Sequence, residues 1–201
     1  MFLLSNYIQE FYSVFPELDS IDTWGVPSLI EPTLIKMLPF LGDEYSINGL
    51  VAIHKNALVE ENVIFKDAVI VSARTFIGSH AYIRGGVFLG EQCVVGPGCE
   101  VKSSAIMRKS ALAHFNFVGD SLIGSGVNME AGSIIANHFN EREDKTIYGL
   151  IDGKRTLLGV SKFGAVIGDN SKIGANAVLS PGTILAPFSV VKRLELVEQV
   201  G

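Results

Sequence analysis

The chain of 201 residues has little of several features on which other protein classes depend. Cys93 and Cys99 are its only cysteines, too few for the disulfide scaffold of a secreted domain or for a zinc cluster. No apolar run approaches the roughly 18 residues that a transmembrane helix needs. The start, "MFLLSNYIQEF", lacks the basic residues that open a signal peptide. These absences predict a cytoplasmic protein that is not inserted in a membrane.

Charge is also sparse, and its sign excludes one large class of function. Charged residues make up 18% of the chain and the net charge is −5, which argues against a broad nucleic-acid-binding surface. Hydrophobic residues make up 48%, and there are 21 glycines. This composition suits one compact domain with a small appendage and argues against disorder.

The main pattern that is present is a repeat of apolar residues. From Ile53 to Val101, nine aliphatic or aromatic residues follow one another at intervals of six, and the residue four positions after each is small or β-branched. Cys93 and Cys99 occupy this second register, so we expect them to be structural. The nine residues are Ile53, Val59, Phe65, Val71, Ile77, Ile83, Leu89, Val95 and Val101.

A period of six matches neither the α-helix nor a simple strand, but it matches short strands that each turn a corner. The pattern therefore predicts a mainly β fold, a β-solenoid. It resembles the hexapeptide repeat of left-handed parallel β-helices, in which three hexapeptides form one triangular coil of about 18 residues. The same register returns at Ile167, Ile173, Leu179, Leu185 and Val191.

Two segments do not follow the repeat. The charged stretch "NHFNEREDKT" predicts a loop near residues 137–160 that protrudes from the solenoid. Residues 1–49 instead show helical spacing from Tyr7 to Leu18, and a second short helix is expected from Pro32 to Leu41. We therefore expect an N-terminal helical cap at 1–49, which shields the open end of the first coil, and a left-handed β-helix at 50–201.

The segment "LAHFNFVGDSLIG" interrupts the repeat and carries a histidine. The interval from Val101 to Ile123 is 22 residues, whereas an unbroken register gives 24. A bend or a shortened coil is therefore expected to hold His114. Because imidazole nitrogens are poorly accommodated in a narrow aliphatic interior, His114 is expected to face outward. It can be either a catalytic group or an ordinary surface histidine.

The segments "YIRGG", "CEVKSS", "LAHFNFVGD", "GVNMEAGS" and "IIANHF" together resemble a known enzyme domain. In order and separation they are similar to the acetyltransferase domain of the bifunctional N-acetylglucosamine-1-phosphate uridylyltransferases, and to stand-alone relatives of that domain. The resemblance covers roughly residues 50–191. The uridylyltransferase half, with its glycine-rich nucleotide loop, is absent from this sequence, so uridylyl transfer is not expected.

The resemblance implies an acetyl-CoA-dependent N-acetyltransferase that acts on an amino-sugar phosphate or a sugar nucleotide, with no metal. His114 would be the general base, since an imidazole accepts a proton near neutral pH. Arg84 and Lys102 would hold the phosphate. The other implied site residues are Glu100, Phe117 and Asn128 for the substrate, and Ala131, Asn137 and His138 for acetyl-CoA.

Three residues depart from the family pattern. Phe117 stands where the family usually has a tyrosine, so a hydroxyl that would contact substrate is missing. Glu130 replaces a glycine, and His138 replaces a tyrosine. These departures leave the acceptor undefined. Phe117 and the charged loop, which is unlike that of the family, favour an alternative in which the chain is a non-catalytic module that binds a sugar nucleotide or a protein partner.

Two further expectations concern metal and assembly. The related γ-class carbonic anhydrases need three converging imidazoles, and this chain has only four histidines, with no pair about five residues apart near His80 or His114. A zinc enzyme is therefore disfavoured. The flat faces of such solenoids commonly pack about a threefold axis, which predicts a homotrimer with sites between neighbouring chains.

Overall fold

The computed structural model describes residues 2–200 and is mainly β. Nineteen of the 22 strands in the described residues form a β-solenoid of about eight turns, so the predicted repeat architecture is confirmed, and the other three are antiparallel strands outside it. The strands are β1 Tyr45–Asn48, β2 Val51–His54, β3 Leu58–Val59, β4 Ile64–Phe65, β5 Val69–Val71, β6 Phe76–Ile77, β7 Tyr82–Leu89, β8 Val94–Val95, β9 Glu100–Ile106, β10 Ala111–Leu112, β11 Phe117–Gly119, β12 Leu122–Ile123, β13 Asn128–Met129, β14 Ile134–Ile135, β15 Tyr148–Ile151, β16 Lys154–Leu157, β17 Ala165–Ile167, β18 Lys172–Ile173, β19 Val178–Leu179, β20 Thr183–Leu185, β21 Val190–Val191 and β22 Leu196–Val197.

The solenoid strands form three parallel faces. Face 1 contains β2, β5, β12, β17 and β20 together with the ends of β7 and β9, which begin on face 3. Face 2 is a separate seven-stranded sheet of β3, β6, β8, β10, β13, β18 and β21. Face 3 contains β4, β11, β14, β19 and β22 together with the starts of β7 and β9. We call the turn from face 1 to face 2 corner 1, from face 2 to face 3 corner 2, and from face 3 to face 1 corner 3.

The interior is filled by the repeated aliphatic residues. Residues such as Val71, Leu89 and Val101 are fully buried in one continuous cluster that runs along the solenoid axis. Cys93 and Cys99 are free thiols inside this cluster. Burial raises the pKa of the Cys93 thiol to about 12, so it has the character of a small apolar residue. The predicted inward registers therefore form the core.

The interval from Val101 to Ile123 is two residues shorter than an unbroken repeat, and both residues are missing at the same corner. Successive coils are 18 residues apart where Val69 pairs with Val87, but 17 apart where Val87 pairs with Ser104 and again where Ala105 pairs with Leu122. Both shortenings fall at corner 3, not beside His114. As a result, Ser104 takes the inward place that the spacing predicts for Ala105, four residues after Val101, and Ala105 faces outward.

Positive φ angles mark all three corners, because each corner needs a tight turn. At corner 2 they stack in one column formed by Asn62, His80, Gly98, Phe115, Gly132, Asn176 and Leu194. At corner 3 the column begins with Asp67, Gly85, Ser103 and Asp120. These left-handed conformations are therefore a property of the architecture and not of one site.

The N-terminal segment is helical, as predicted, but its first helix is shorter than expected and its second begins and ends earlier. Helix α1 covers Phe11–Val14 and helix α2 covers Val26–Met37, with 3-10 turns at Leu4–Asn6, Pro16–Leu18, Thr23–Gly25 and Leu38–Phe40. Pro16 begins one of these turns, so the expected single helix from Tyr7 to Leu18 is broken.

This segment covers a side of the solenoid. Its apolar residues pack against outward-facing side chains of face 1, and the Phe15 and Phe88 rings lie 5.1 Å apart. The expectation that the helices shield the open end of the first coil is wrong, because that edge is covered by β1, which pairs antiparallel with β2. None of the described helices is long and apolar enough to cross a membrane.

The insertion leaves the solenoid between β14 and β17, as predicted. Its outer part is the antiparallel hairpin of β15 and β16. Its base packs back onto the protein, since Phe139, Ile147, Leu158 and Phe163 are buried in the same outer cluster as the N-terminal segment. The N–H groups of Phe163 and Gly164 donate to the carbonyls of Asn137 and Asp120, which fixes the base at corner 3.

Candidate functional site

The predicted site residues divide between two corners of the solenoid. His114 and Ala131 lie at corner 2, whereas Lys102, Asn137 and His138 lie at corner 3. Arg84, Glu100 and Phe117 lie on face 3 or at its edge with corner 3, between the two groups, and Asn128 lies on face 2. A single chain therefore does not gather all these residues around one point.

His114 is exposed at corner 2, three residues before β11 begins at Phe117. Within residues 2–200, its side chain has no hydrogen-bond or ion-pair partner. Its own backbone is held, because the His114 carbonyl accepts the Gly132 N–H at 2.9 Å. The imidazole is thus free to meet a ligand while its main chain is fixed.

Beneath this corner lies Asn116, which is 2% exposed. Its Nδ2 donates to the Glu130 carbonyl and to the Ser133 hydroxyl, both at 2.8 Å, and its Oδ1 accepts from the Cys99 thiol at 3.5 Å. These bonds join adjacent coils below the exposed loop. The rigidity of corner 2 therefore comes from the interior.

Face 3 carries one ion pair next to an aromatic ring. The Arg84 guanidinium binds the Glu100 carboxylate, with Nη2 to Oε1 at 2.6 Å and Nε to Oε1 at 2.8 Å. Phe117 follows Glu100 in the same outward row. A Cβ atom on Gly119 would lie 2.8 Å from Nδ2 of Asn137 and 2.9 Å from Cε1 of Phe117, so the Phe117 ring reaches toward corner 3.

A continuous polar chain occupies corner 3. The Lys102 ammonium donates to both oxygens of Asp120, at 2.9 and 2.8 Å, and to the Ser103 hydroxyl at 3.1 Å. Asn137 Nδ2 donates to Asp120 Oδ2, and Asn137 Oδ1 lies 3.0 Å from Nδ1 of His138. Three predicted residues are therefore linked through one carboxylate.

Asp120 is the functional candidate that the prediction did not include. It is 7% exposed, and it lies in the "VGD" motif only six residues after His114. The motif contains Asp120, but its partners, Lys102 and Asn137, belong to the preceding and the following coil. Those pairings follow from the shortened coils at corner 3 and are not visible in a linear sequence.

Corner 2 also holds an ion pair that involves Glu130, the residue that stands where the resembled family has a glycine. Glu130 binds Arg193 through Oε2 to Nε at 2.7 Å and Oε1 to Nη2 at 2.8 Å, and it accepts the Ala175 N–H at 2.9 Å. The Arg193 hydrogen bonds, and then that of Ala175, lower the pKa of Glu130 to about 2. Glu130 therefore remains charged at neutral pH, and its bonds to Ala175 and Arg193 connect its own coil to the two coils that follow.

Metal coordination has no support in the part of the chain that the structure describes. No group of three or more histidine, cysteine, aspartate or glutamate side chains is arranged there to hold an ion. The side chains that gather at corner 3 are an ammonium, an amide, an imidazole and one carboxylate, a set suited to hydrogen bonding with organic ligands.

Two family models match parts of this chain. Residues 65–161 match the model of the GMPPB C-terminal domain, and residues 153–181 and 164–186 match the hexapeptide repeat of succinyl-transferase. Hexapeptide-repeat sequence is thus matched over the C-terminal part of the chain. The matched ranges together extend from residue 65 to residue 186, one residue past the end of β20, and include the residues described above at corners 2 and 3 up to that point.

Curated relatives are similar over the central coils. A bifunctional sugar-1-phosphate nucleotidylyltransferase/acetyltransferase of Sulfurisphaera tokodaii is 40% identical over 90 residues, which are 44% of this chain and 22% of the relative. The bifunctional protein GlmU of Methanococcus vannielii is 38% identical over 99 residues, 49% of this chain and 23% of that protein. The chain thus resembles these bifunctional enzymes over its central coils, and the matched residues span less than a quarter of their length.

Solved structures give more distant likenesses. The acetyltransferase domain of PglB from Neisseria gonorrhoeae has a TM-score of 0.45 and 16% identity, over 83% of this chain and 63% of that one. A mutant of perosamine N-acetyltransferase from Caulobacter crescentus, solved with CoA and GDP-perosamine, has a TM-score of 0.39 and 18% identity, over 86% and 73% of the two chains.

Proposed function

We propose that this protein is an acyl-CoA-dependent N-acetyltransferase whose acceptor is an amino-sugar phosphate or a sugar nucleotide. The single observation that carries the proposal is the exposed, unpartnered imidazole of His114 at a corner whose backbone is fixed from inside. Similarity over the central coils to bifunctional sugar-1-phosphate enzymes supports the sugar acceptor.

His114 is the general base in this proposal. Its free ring nitrogen takes a proton from the acceptor amine as the amine nitrogen attacks the acetyl carbonyl carbon. A new C–N bond forms, the C–S bond of the thioester breaks, and the thiol of coenzyme A leaves with a proton. An exposed imidazole with no competing partner is well suited to this role at neutral pH.

The acceptor phosphate would lie on face 3 against Arg84 and Lys102. Both cations are paired within the chain, with Glu100 and Asp120, so phosphate binding has to share or replace a carboxylate. The Arg84 pair is the more accessible of the two, with side-chain exposures of 34% and 32%. We therefore assign Arg84 as the main phosphate group, with Glu100 orienting it.

Acetyl-CoA would approach the Ala131 side of His114, while Asn137 and His138 would contact it from corner 3. The Ala131 side chain is small and half-buried, which leaves room beside His114. Asn128 on face 2 would read sugar hydroxyls. Because these groups lie on different corners and faces of one chain, the proposed site needs more than one chain.

A homotrimer supplies that arrangement. Face 1 is covered by the N-terminal segment, whereas faces 2 and 3 carry exposed outward apolar residues. Burial of such rows between chains favours association by removing apolar surface from water. Corner 2 of one chain would then meet corner 3 of its neighbour. The exposed residues are Leu58, Val94 and Val190 on face 2 and Ile64, Ile134 and Leu196 on face 3.

Thiol release from acetyl-CoA, measured across a panel of amino-sugar phosphates, tests the activity. His114→Asn should lower kcat by roughly 10²–10⁴-fold, the usual contribution of a general base. The matched control is His80→Asn, because His80 is also exposed at corner 2 and asparagine tolerates its positive φ. Equal losses in the two variants would contradict a catalytic role for His114.

The alternative is a non-catalytic module that binds a sugar nucleotide. Phe117 and the pairing of both candidate phosphate cations within the chain favour it. Equilibrium binding of a sugar nucleotide that is unchanged in His114→Asn, without thiol release by the wild type with any acceptor, would support this alternative over the transferase.

A further inference from the structure

A pocket lies next to corner 3, away from His114 at corner 2. It has a volume of about 460 Å³, within the usual range for small-ligand sites. One wall is formed by Trp24 and Ser28 of the N-terminal segment, and another by Val160, Ser161 and Lys162 at the end of the insertion. Asp120 contributes to its lining from the solenoid.

The lining offers both acceptors and donors of hydrogen bonds. Asp120 Oδ1 accepts one bond, from Lys102, and its partner oxygen accepts two, so Oδ1 has room for another donor. The Ser28 hydroxyl donates to the Gly25 carbonyl and can still accept. Ser161 and Lys162, both exposed, have no side-chain partner within residues 2–200.

The charge of the pocket is balanced. Its lining has one carboxylate, Asp120, and one ammonium, Lys162, while the Asp120 charge is already compensated by Lys102. An anion would meet Asp120 and a cation would meet Lys162 and Lys102. A neutral ligand that both donates and accepts hydrogen bonds therefore fits best, and Val160 provides an apolar contact for its carbon atoms.

We propose that this pocket binds a neutral sugar or polyol of monosaccharide size. Hydroxyl groups supply the donor for Asp120 and the acceptor for Lys162. The inference goes beyond the proposed transferase, since the pocket includes neither His114 nor Arg84. Its walls are formed by the N-terminal segment and the insertion, two elements that are not part of the repeat and that meet at corner 3.

The pocket also accounts for a costly feature. The Lys102 and Asp120 side chains are only 17% and 10% exposed. Taking two such charges out of water is unfavourable, so a buried pair is weak evidence for a purely stabilising role. Here the pair presents a fixed, charge-compensated carboxylate to the pocket.

Trp24 is the only tryptophan in the chain, so its fluorescence reports directly on the pocket. Titration with glucose and N-acetylglucosamine should give a saturable change with roughly millimolar affinity, as expected for so small a ligand. Glucosamine, a cation, and glucose 1-phosphate, an anion, should bind at least tenfold more weakly. No acyl-CoA is present, so the result does not depend on the transferase.

Two variants of pocket residues and one control variant locate the binding. Val160→Phe fills the pocket and should abolish it, while Leu157→Phe, on the exposed hairpin, should leave it unchanged. Asp120→Asn retains shape and should weaken it about tenfold or more through loss of a charged acceptor. Failure of neutral sugars to bind by both fluorescence and equilibrium dialysis, preference for the phosphate, or unaltered binding in Val160→Phe would each overturn the proposal.

Discussion

Corner 2 and corner 3 are built from the same repeat but differ in where their polar groups are held. At corner 2 the repeat spacing is kept, His114 is free at the surface, and the buried Asn116 ties the coils from inside. At corner 3 two coils are one residue short, and Lys102, Asp120 and Asn137 are bound together at the outer side. One corner presents an unpartnered imidazole, and the other presents a network of linked polar side chains.

The contrast separates stability from chemistry. A group with no partner can be replaced with little effect on folding, whereas a buried charge depends on its partner. Substitutions at corner 2 that face solvent should therefore change function without changing stability. Substitutions in the polar chain of corner 3 should change both.

The largest expected effect on stability is that of Asp120→Ala. It leaves the Lys102 ammonium mostly buried without its carboxylate, and should lower the free energy of unfolding by about 3–5 kcal/mol. Urea denaturation measures this loss. Adding Lys102→Met should recover much of it, because the uncompensated charge is then gone. If the free energy of unfolding of Asp120→Ala alone is within about 1 kcal/mol of the wild-type value, the proposed difference between the two corners is contradicted.

A smaller loss is expected for Asn116→Ala beneath corner 2. The variant removes the donors to the Glu130 carbonyl and the Ser133 hydroxyl, and should cost about 1–3 kcal/mol in the same denaturation experiment. His114→Asn, two residues away but exposed, serves as the control and should leave the unfolding midpoint unchanged. Equal destabilisation by the two variants would contradict an interior anchor.

The smallest expected effect concerns Glu130 at the surface of corner 2. Its pKa in the folded protein is about 2, below its ordinary value of 4.5. The contact with Arg193 therefore contributes its full stabilisation when the pH is above 4.5, and this contribution disappears as the pH falls from 4.5 toward 2. Arg193→Ala should raise the Glu130 pKa, measured by carboxyl-carbon NMR; an unchanged pKa would exclude the pair as its cause.

Much of the solenoid could be predicted from the periodicity, because each inward aliphatic residue has a fixed interval. The placement of the N-terminal helices could not, since it depends on contacts far apart in sequence, such as Phe15 with Phe88. A signal was nevertheless present: strands of face 1, such as "VIV" and "AVI", are apolar on both sides. Such a face needs a cover.

The candidate site could be predicted only in part. The motif containing His114 predicted one bend at that residue, but a total of two missing residues did not reveal that the shortened turns lie at corner 3. Which groups meet Asp120 depends on where the turns are shortened, because the neighbouring coils supply Lys102 and Asn137. The assignment of His114 as base remains a prediction that rests on its exposure and lack of a partner.

The proposed division of one active site between corners of neighbouring chains is tested most directly by mixing two inactive variants. His114→Asn and Asn137→Ala proteins are unfolded together, refolded as mixed trimers and assayed for thiol release. If His114 of one chain works with Asn137 of its neighbour, random mixing restores about a quarter of the sites, because each site needs one particular pairing. Activity that stays at the level of the separate variants would contradict the shared site.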